Sequence, residues 1–347
     1  MSSKRNPFLD RRDFLKIGGA ATAGFLAHEV LPSRASAMAA LPANAQTHAA
    51  MPTRNLGKTG YRVGLFSLGG QATIEKPNME EQAVAIVERA LDLGVNYIDT
   101  APMYGGPERW SQRYIGQVMK RRRNETWLAS KTDDRTRDGS LKLLDESLKL
   151  LNTDHLDSWQ LHHMTTMDDV ERVFAKGGAM EALQRAREQK MVRTLGVTGH
   201  TDPEVLLECL RRFPFDTILL AINAADRHHL SFSEKLLPTA VEKQMGIIGM
   251  KIPARGRILA GWKPAGREPS WVPPLKQPGT INMREALYYV LSLPVSTVII
   301  GCDTIAQLEE NVKLAREFTP LNETQMAALS AKTEPIARQA LFFRRWT

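Results

Sequence analysis

Four polar side chains stand at regular intervals in the chain, and together their types could move a proton. Asp99, Lys131 and His162 are 32 and 31 residues apart, and Tyr104 follows Asp99 by five residues. A tyrosine hydroxyl has an ordinary pKa of about 10, so it is a poor acid or base near neutral pH. A nearby ammonium favours the phenolate, so we expect Lys131 to lower the pKa of Tyr104, with Asp99 holding the lysine charged and in place. The set predicts proton transfer by Tyr104, with His162 hydrogen-bonded to the reacting oxygen.

Each of these residues also has an ordinary explanation when it is taken alone. Tyr104 could pack on a loop, Asp99 could cap a helix, and Lys131 could be solvated. His162 could be a core histidine or, with His163, half of a metal pair. No set of carboxylate ligands accompanies the two histidines, so we expect no metal. The shared interval of about 30 residues favours one site over four unrelated roles.

The interval matches a repeated strand-and-helix unit that begins near residue 51. Short apolar runs predict eight strands at 65–68, 95–98, 127–129, 158–161, 194–197, 217–222, 246–249 and 295–300. Eight such units predict an α/β fold, a (β/α)8 TIM barrel, in which the carboxyl ends of the strands carry the site. A doubly wound open sheet is the alternative. It usually shows G-x-G-x-x-G after its first strand, and residues 67–71 read S-L-G-G-Q.

The segments between and around these strands predict the remaining elements. Helical periodicity is present at 80–93, 139–151, 168–189, 202–212, 233–244, 282–291 and 304–318. A short N-terminal β-hairpin is expected over 51–63, turned by Gly57-Lys58-Thr59-Gly60. The long connection 251–280 is expected to form a lid over the site at the carboxyl ends of the strands. The C-terminal segment 340–346 either lines the substrate entrance or seals the barrel.

The motifs around the four residues resemble those of the aldo-keto reductase superfamily. Residues 99–105 read Asp-Thr-Ala-Pro-Met-Tyr-Gly, Ser130 precedes Lys131, and His162 directly follows the predicted strand at 158–161. The resemblance runs from about residue 53 to 318. It implies a NAD(P)(H)-dependent oxidoreductase that interconverts an aldehyde or ketone and an alcohol. Tyr104 is then the general acid in reduction and the general base in oxidation, and the substrate is a small carbonyl compound or a sugar-like one.

The resemblance also implies a set of coenzyme-binding residues. They are Gly70, Thr198, Met250, Lys251, Gly301, Gln307, Glu310 and Asn311. Thr198 and Met250-Lys251 belong to the nicotinamide end, and Gly301 with the helix that follows belongs to the phosphate and adenosine end. NADP(H) is favoured and NAD(H) is possible, with Lys251, Arg255 and Arg257 as candidate partners of a 2′-phosphate. For the stretch that carries Gly301, Gln307, Glu310 and Asn311, the alternative explanation is an ordinary capped helix after a buried strand.

Two positions depart from the family pattern at the nicotinamide end. Gly199 stands where the family has an asparagine, and Leu219 replaces a glutamine. The alternative function is therefore a barrel with impaired coenzyme binding that acts as a small-molecule or carbohydrate binding protein. An isomerase or hydrolase is a third possibility, but the paired carboxylates or metal ligands it needs are not evident.

The first 50 residues are typical of an export signal rather than of part of the folded domain. Arg11-Arg12 followed by Phe14-Leu15-Lys16 resembles a twin-arginine (Tat) motif, and an apolar stretch follows at 17–31. Small residues at 35–37 predict a signal peptide over 1–37, with cleavage as late as 45, ahead of a single barrel domain at 51–347. The expected location is periplasmic, through the Tat export machinery. The apolar stretch is shorter than the ~20 residues of a membrane helix, so no stable membrane span is expected, and the alternative is a disordered alanine-rich leader.

Composition narrows the choice of partners. The 347 residues carry a net charge of +8, and removing residues 1–37 takes away six basic and three acidic residues, which leaves +5. The run at 120–123 is the one remaining basic block, and it lies at a predicted helix end where cations suit the dipole. No nucleic acid is therefore expected as a partner. The two cysteines cannot alone hold an iron–sulfur cluster.

Overall fold

Eight parallel strands close into a barrel in the computed structural model, which describes residues 51–264 and 272–346. The barrel strands are β3 (Phe66–Gly69), β4 (Tyr97–Asp99), β5 (Trp127–Thr132), β6 (Leu156–Leu161), β7 (Val192–Gly199), β8 (Thr217–Ala221), β9 (Gly246–Met250) and β10 (Thr297–Ile300). They lie in chain order, and β10 pairs with both β9 and β3. Because each strand is shielded by helices outside and packed side chains inside, the strands read as apolar runs. The predicted (β/α)8 barrel is confirmed.

Helices surround the barrel, and most begin at a capping residue. They are α1 (Glu80–Asp92), α2 (Trp110–Arg122), α3 (Arg137–Leu150), α4 (Met167–Phe174), α5 (Ala179–Glu188), α6 (Pro203–Arg212), α7 (Phe232–Lys235), α8 (Leu237–Glu242), α9 (Met283–Leu291), α10 (Ile305–Arg316), α11 (Glu323–Thr333) and α12 (Ala337–Ala340). Thr136, Thr166, Asp202, Asn282 and Thr304 each accept a first-turn amide hydrogen bond from their own helix. Such caps satisfy amides that a helix leaves unpaired.

Two helix predictions were wrong and one was incomplete. The single helix expected at 168–189 is two helices, α4 and α5. The chain turns between them at Gly177, where φ is +75°, and a side chain at Gly178 would meet the Val173 carbonyl oxygen at 2.4 Å. The helix expected at 233–244 is divided into α7 and α8, with Pro238 in the first turn of α8. A helix end is predicted at 120–123, but no range is predicted for the rest of α2, because its buried face includes Ser111 and Gln112, which interrupt the apolar periodicity.

The N-terminal hairpin closes one end of the barrel. Strands β1 (Thr53–Asn55) and β2 (Arg62–Gly64) pair antiparallel, as predicted. Leu56 and Val63 are buried in the same interior cluster as Trp127, and the Tyr61 ring lies 4.6 Å from that of Trp127. The Tyr61 hydroxyl donates to the Asn96 carbonyl oxygen at 2.6 Å. Because the hairpin closes this end of the barrel, a functional site is expected at the opposite rim, where the strands have their carboxyl ends.

Two predicted segments lie wholly or partly outside the described residues. The expected signal at 1–37 is one of them. The other is the expected lid at 251–280, of which residues 265–271 are not described. In the described part of that connection, Leu259 forms a β-bridge with Ile281. Within residues 51–264 and 272–346, no helix combines the length and apolar character needed to cross a bilayer.

Candidate active site

The four predicted catalytic residues come together at the open rim of the barrel. Asp99 ends β4, Lys131 lies one residue before the end of β5, and His162 follows β6 directly. Tyr104 lies in the loop after β4. Adjacent parallel strands deliver their carboxyl ends to one rim, so the 30-residue interval places the side chains together.

Asp99 and Lys131 form a buried ion pair. Lys131 Nζ lies 2.5 Å from Asp99 Oδ2, and each side chain is 1% exposed. Lys131 also donates to the Thr100 carbonyl oxygen at 2.8 Å. Burial raises the pKa of Asp99 and lowers the pKa of Lys131, while the attraction between the two groups opposes both shifts. The Lys131 ammonium is therefore held in a fixed position, and the Asp99 carboxylate balances its charge.

Gln160 completes this arrangement and was not predicted as a site residue. Its Nε2 donates to Asp99 Oδ1 at 3.3 Å from β6, which is two strands from β4 in the barrel. Asp99 is thus held through both carboxylate oxygens. The signal was present in the sequence, because Gln160 lies two residues before His162, and alternate residues of a strand share a face.

Tyr104 lies against both the lysine and the histidine. Lys131 Nζ is 5.1 Å from the centroid of the Tyr104 ring, and the His162 ring meets that ring edge-on at 6.0 Å between centroids. The expectation that Lys131 lowers the pKa of Tyr104 was wrong for this structure. Burial, with the negative charges of Asp99 and Glu75, raises the pKa of Tyr104 well above its ordinary value. Tyr104 therefore keeps its proton at neutral pH, but the raised pKa makes the phenol a weaker acid, so proton donation depends on the nearby Lys131 ammonium to stabilise the developing phenolate.

His162 is neutral and has an open hydrogen-bonding position. It is 3% exposed, and its Nδ1 has no hydrogen-bond partner among the described residues. Burial and the charge of Lys131 lower the pKa of His162 well below its ordinary value. A neutral imidazole donates from one nitrogen and accepts at the other. A buried polar atom left without a partner is costly, so it points to a group supplied by a ligand.

The nicotinamide end of the predicted coenzyme site is only partly polar. Thr198 Oγ1 accepts from the His163 amide at 2.9 Å, which leaves its hydroxyl proton available. A Cβ at Gly199 would lie 3.0 Å from Leu206 of α6, so helix packing fills the space beside this residue. Leu219 and Met250 belong to the apolar cluster inside the barrel. The structure thus shows no side-chain amide at 199 or 219 to replace those of the family pattern.

Gly70 and Gly301 are close to neighbouring backbone. The Gly70 amide donates to the Asp99 carbonyl oxygen at 2.7 Å, and a Cβ on Gly70 would lie 2.5 Å from Ser111 Oγ. A Cβ on Gly301 would lie 2.9 Å from the Gln71 carbonyl oxygen. Both glycines therefore permit tight packing of the loops at this rim.

The start of α10 carries the other predicted coenzyme residues. Gln307 Oε1 accepts from the Asp303 amide at 2.8 Å, and buried Asn311 donates to Cys302 Sγ at 3.6 Å. These two side chains are thus engaged within the protein, whereas Glu310 is exposed. The first-turn amides of Ile305 and Ala306 have no acceptor within the helix, as at any helix start. Such amides suit a phosphate group.

Lys251 follows β9, the seventh barrel strand, and reaches across the rim to Gln71 in the connection that follows β3, the first barrel strand. Its Nζ donates to Gln71 Oε1 at 3.3 Å, and its backbone adopts a φ of +64°. Burial and the charge of Arg255 lower the pKa of Lys251 to about 8, against the opposing effect of Glu75. With the start of α10, this cation gives the rim donors that fit a dinucleotide phosphate. In the described ranges, no group of three or more histidine, cysteine or acidic side chains is arranged to hold a metal ion.

The C-terminal segment covers part of the rim, through an ion pair that the sequence did not reveal. Arg344 and Asp226 are fully buried, with 2.5 Å between guanidinium and carboxylate. Arg344 also donates to the carbonyl oxygens of Ala221 and His200. Phe343 packs against both the outer core and the interior cluster. The segment packs on the carboxyl end of β8 and so helps to seal the barrel, whereas its lining of a substrate entrance stays a prediction.

Comparisons with known proteins agree with the fold and with the family that the sequence resembles. A model of the aldo/keto reductase family matches residues 62–270. The oxidoreductase YqkF of Bacillus subtilis is 26% identical over 319 residues, covering 82% of this chain and 97% of that protein. L-galactose dehydrogenase of Arabidopsis thaliana is 27% identical over 310 residues, covering 82% and 94%. The solved holo form of aldo-keto reductase AKR11C1 from Bacillus halodurans is 25% identical, covers 81% and 96%, and superimposes with a TM-score of 0.66.

Proposed function

The chain belongs to the aldo/keto reductase family, and we propose that it interconverts an aldehyde or ketone and an alcohol, using NADP(H) in preference to NAD(H). The observation that carries this proposal is the rim where Tyr104 and His162 lie against the buried Asp99–Lys131 pair. The substrate is a small carbonyl compound or a sugar-like one. L-galactose dehydrogenase, by its name a sugar-oxidising relative, supports the sugar-like class.

The residues at the rim divide the chemistry among them. When bound, the nicotinamide coenzyme supplies or accepts the hydride at the carbonyl carbon. Tyr104, which is protonated at neutral pH, donates the proton to the carbonyl oxygen in reduction. As the phenolate develops, the Lys131 ammonium 5.1 Å from the ring centroid stabilises the negative charge. Asp99 holds Lys131 in place, and neutral His162 hydrogen-bonds the carbonyl oxygen.

Coenzyme binding is the first test of the proposal. We expect purified protein to bind NADPH more tightly than NADH, and Lys251→Met to weaken NADPH binding about tenfold at pH 7, because one charge-assisted contact is lost. The lysine is charged below its pKa of about 8, so wild-type affinity should fall as pH rises through that value and the variant should show no such fall. Nicotinamide fluorescence titration measures both.

Lys149→Met is the matched control, because Lys149 is exposed on α3 and pairs with Asp145. It should bind NADPH as the wild type does at every pH. If neither NADPH nor NADH binds to the wild-type protein, the reductase proposal fails.

A second candidate function rests on Gly199 and Leu219. These residues leave the nicotinamide end without two amide side chains, so a barrel that binds a carbohydrate or another small molecule without coenzyme is the alternative. The same titration distinguishes the two functions. Sugar binding by protein that fails to bind either nucleotide would favour the binding protein.

We further propose that the enzyme is exported through the twin-arginine pathway and acts in the periplasm. The support is the sequence Arg11-Arg12 with its following apolar stretch, in residues outside the described ranges. This pathway exports folded proteins, so a coenzyme bound in the cytoplasm could travel with the barrel.

Replacing both Arg11 and Arg12 by lysine should block this export. We expect uncleaved chain in the cytoplasmic fraction, whereas the wild type should yield periplasmic protein cleaved after residue 37 or as late as 45. Fractionation followed by intact-mass spectrometry measures location and cleavage together. Arg34→Lys, within the same segment but outside the motif, should behave as wild type. Equal export of the double variant would contradict the proposal.

A further inference from the structure

A row of three imidazoles leads from the catalytic histidine toward the C-terminal segment. The rings of His162 and His163 are 6.1 Å apart between centroids, and those of His163 and His200 are 5.1 Å apart. His200 follows β7 directly, so it lies at the same rim as His162. The Phe343 ring lies 6.4 Å beyond it, edge-on. His200 thus lies between His163 and Phe343 in a row of rings that starts at the catalytic histidine.

His200 carries a buried nitrogen that nothing described in the protein satisfies. Its Nδ1 is inaccessible to solvent and has no hydrogen-bond partner within 51–264 and 272–346. Burial and the charge of Lys251 lower the pKa of His200 well below its ordinary value, so the ring is neutral at physiological pH. Most buried polar side-chain atoms in folded proteins have a partner. An open one at the rim of an active site indicates a position for a ligand atom.

The neighbouring groups do not fill that position. Arg344 donates to the backbone oxygen of His200, and its charge is balanced by buried Asp226. The His163 side chain is exposed. The backbone amide of His163 donates to Thr198 Oγ1, so that hydroxyl accepts from backbone rather than from the His200 ring. The His200 ring is therefore a second rim imidazole, besides His162, with a nitrogen left open to the substrate.

We propose that His200 binds a hydroxyl group of the substrate close to the reacting carbonyl, which makes the substrate a hydroxylated aldehyde of the aldose class. This assignment rests on the proposed function. A neutral imidazole offers one donor and one acceptor, and a hydroxyl group both donates and accepts. A carboxylate only accepts, and an alkyl chain would leave the buried nitrogen unpaired. A site that hydrogen-bonds a substrate hydroxyl rejects the analogue that lacks it.

Glyceraldehyde and propanal, which differ only in two hydroxyl groups, test the proposal. His200→Ala should lower kcat/KM for glyceraldehyde about tenfold or more and change kcat/KM for propanal by less than about twofold. His200→Asn, which keeps a donor and an acceptor, should recover part of the glyceraldehyde activity. His163→Asn is the matched control, because it alters the exposed imidazole of the row and should affect neither substrate. Thermal unfolding should show that all variants remain folded.

Two results would overturn the assignment: an equal loss for both aldehydes, or no loss for either. If the wild-type enzyme turns over neither aldehyde, the proposed function fails, and His200 is then tested by calorimetric titration with erythritol. Binding by the wild type that His200→Ala weakens about tenfold supports the hydroxyl site. Equal binding by both proteins, or binding by neither, overturns it.

Discussion

Tyr104→Phe is expected to lower kcat for carbonyl reduction by about 10²–10⁴-fold, because it removes the proton donor and leaves the ring in place. The ring keeps its edge-on contact with His162 and its position near Lys131. Coenzyme affinity should therefore be unchanged, and the loss should appear in kcat rather than in nucleotide binding. Steady-state kinetics together with nicotinamide fluorescence titration separates the two quantities.

Tyr61→Phe is the matched control for this substitution. It removes a hydroxyl at the closed end of the barrel, where the Tyr61 oxygen donates to the Asn96 carbonyl. We expect a loss of stability of about 1 kcal/mol and unchanged kcat. If Tyr104→Phe retained wild-type turnover of carbonyl substrates, Tyr104 would not be the proton donor, although the family assignment would stand.

The pH profile of reduction gives an independent check on Tyr104. Burial holds the pKa of Tyr104 above its ordinary value, so the phenol stays protonated at neutral pH. Its proton should be lost only in strongly alkaline solution. The pKa of His162 is lowered well below its ordinary value, so that ring stays neutral as well. Under saturating coenzyme, kcat should therefore be flat between about pH 7 and 9. A fall of kcat across that range would contradict the assigned protonation state of Tyr104.

The repeat of strands and helices made most of this fold predictable. Eight apolar runs at similar intervals predict parallel strands that are covered on both faces, and the lack of G-x-G-x-x-G after the first run favours a barrel over an open sheet. The structure confirms the barrel. The same regular spacing is enough to predict that Asp99, Lys131 and His162 lie at one rim. Periodicity failed where a local break decided the chain path, as at Gly177 and at Pro238.

The rest of the site depends on contacts between residues far apart in sequence. Lys251 meets Gln71 across 180 positions, and Arg344 meets Asp226 across 118. No local pattern encodes such pairs. The pKa of Tyr104 was mispredicted for a related reason. The sequence predicts the Asp99–Lys131 pair, but not that Tyr104 is buried or that Glu75 is close enough to oppose the phenolate.

Lys131→Met is expected to lower the free energy of unfolding by about 3–5 kcal/mol, because it leaves the Asp99 carboxylate buried without its cation. The remaining described partner of that carboxylate is the Gln160 amide at 3.3 Å, a neutral donor that cannot offset the lost attraction. The double variant Asp99→Asn with Lys131→Met should regain most of the stability, since no charge is then buried. It should stay inactive, because the cation beside Tyr104 is absent.

Urea unfolding at several pH values measures this effect and its sign. In Lys131→Met the folded-state pKa of Asp99 should rise further above the unfolded value of about 3.9, because desolvation then acts unopposed. Such a carboxyl binds more protons folded than unfolded, so the destabilisation should be smallest at acid pH and grow as pH rises toward the folded pKa. Lys149→Met, which breaks the exposed pair with Asp145, should cost less than about 1 kcal/mol. If Lys131→Met lost no more stability than this control, the Asp99–Lys131 pair would not be the buried, coupled unit on which the proton-transfer geometry depends.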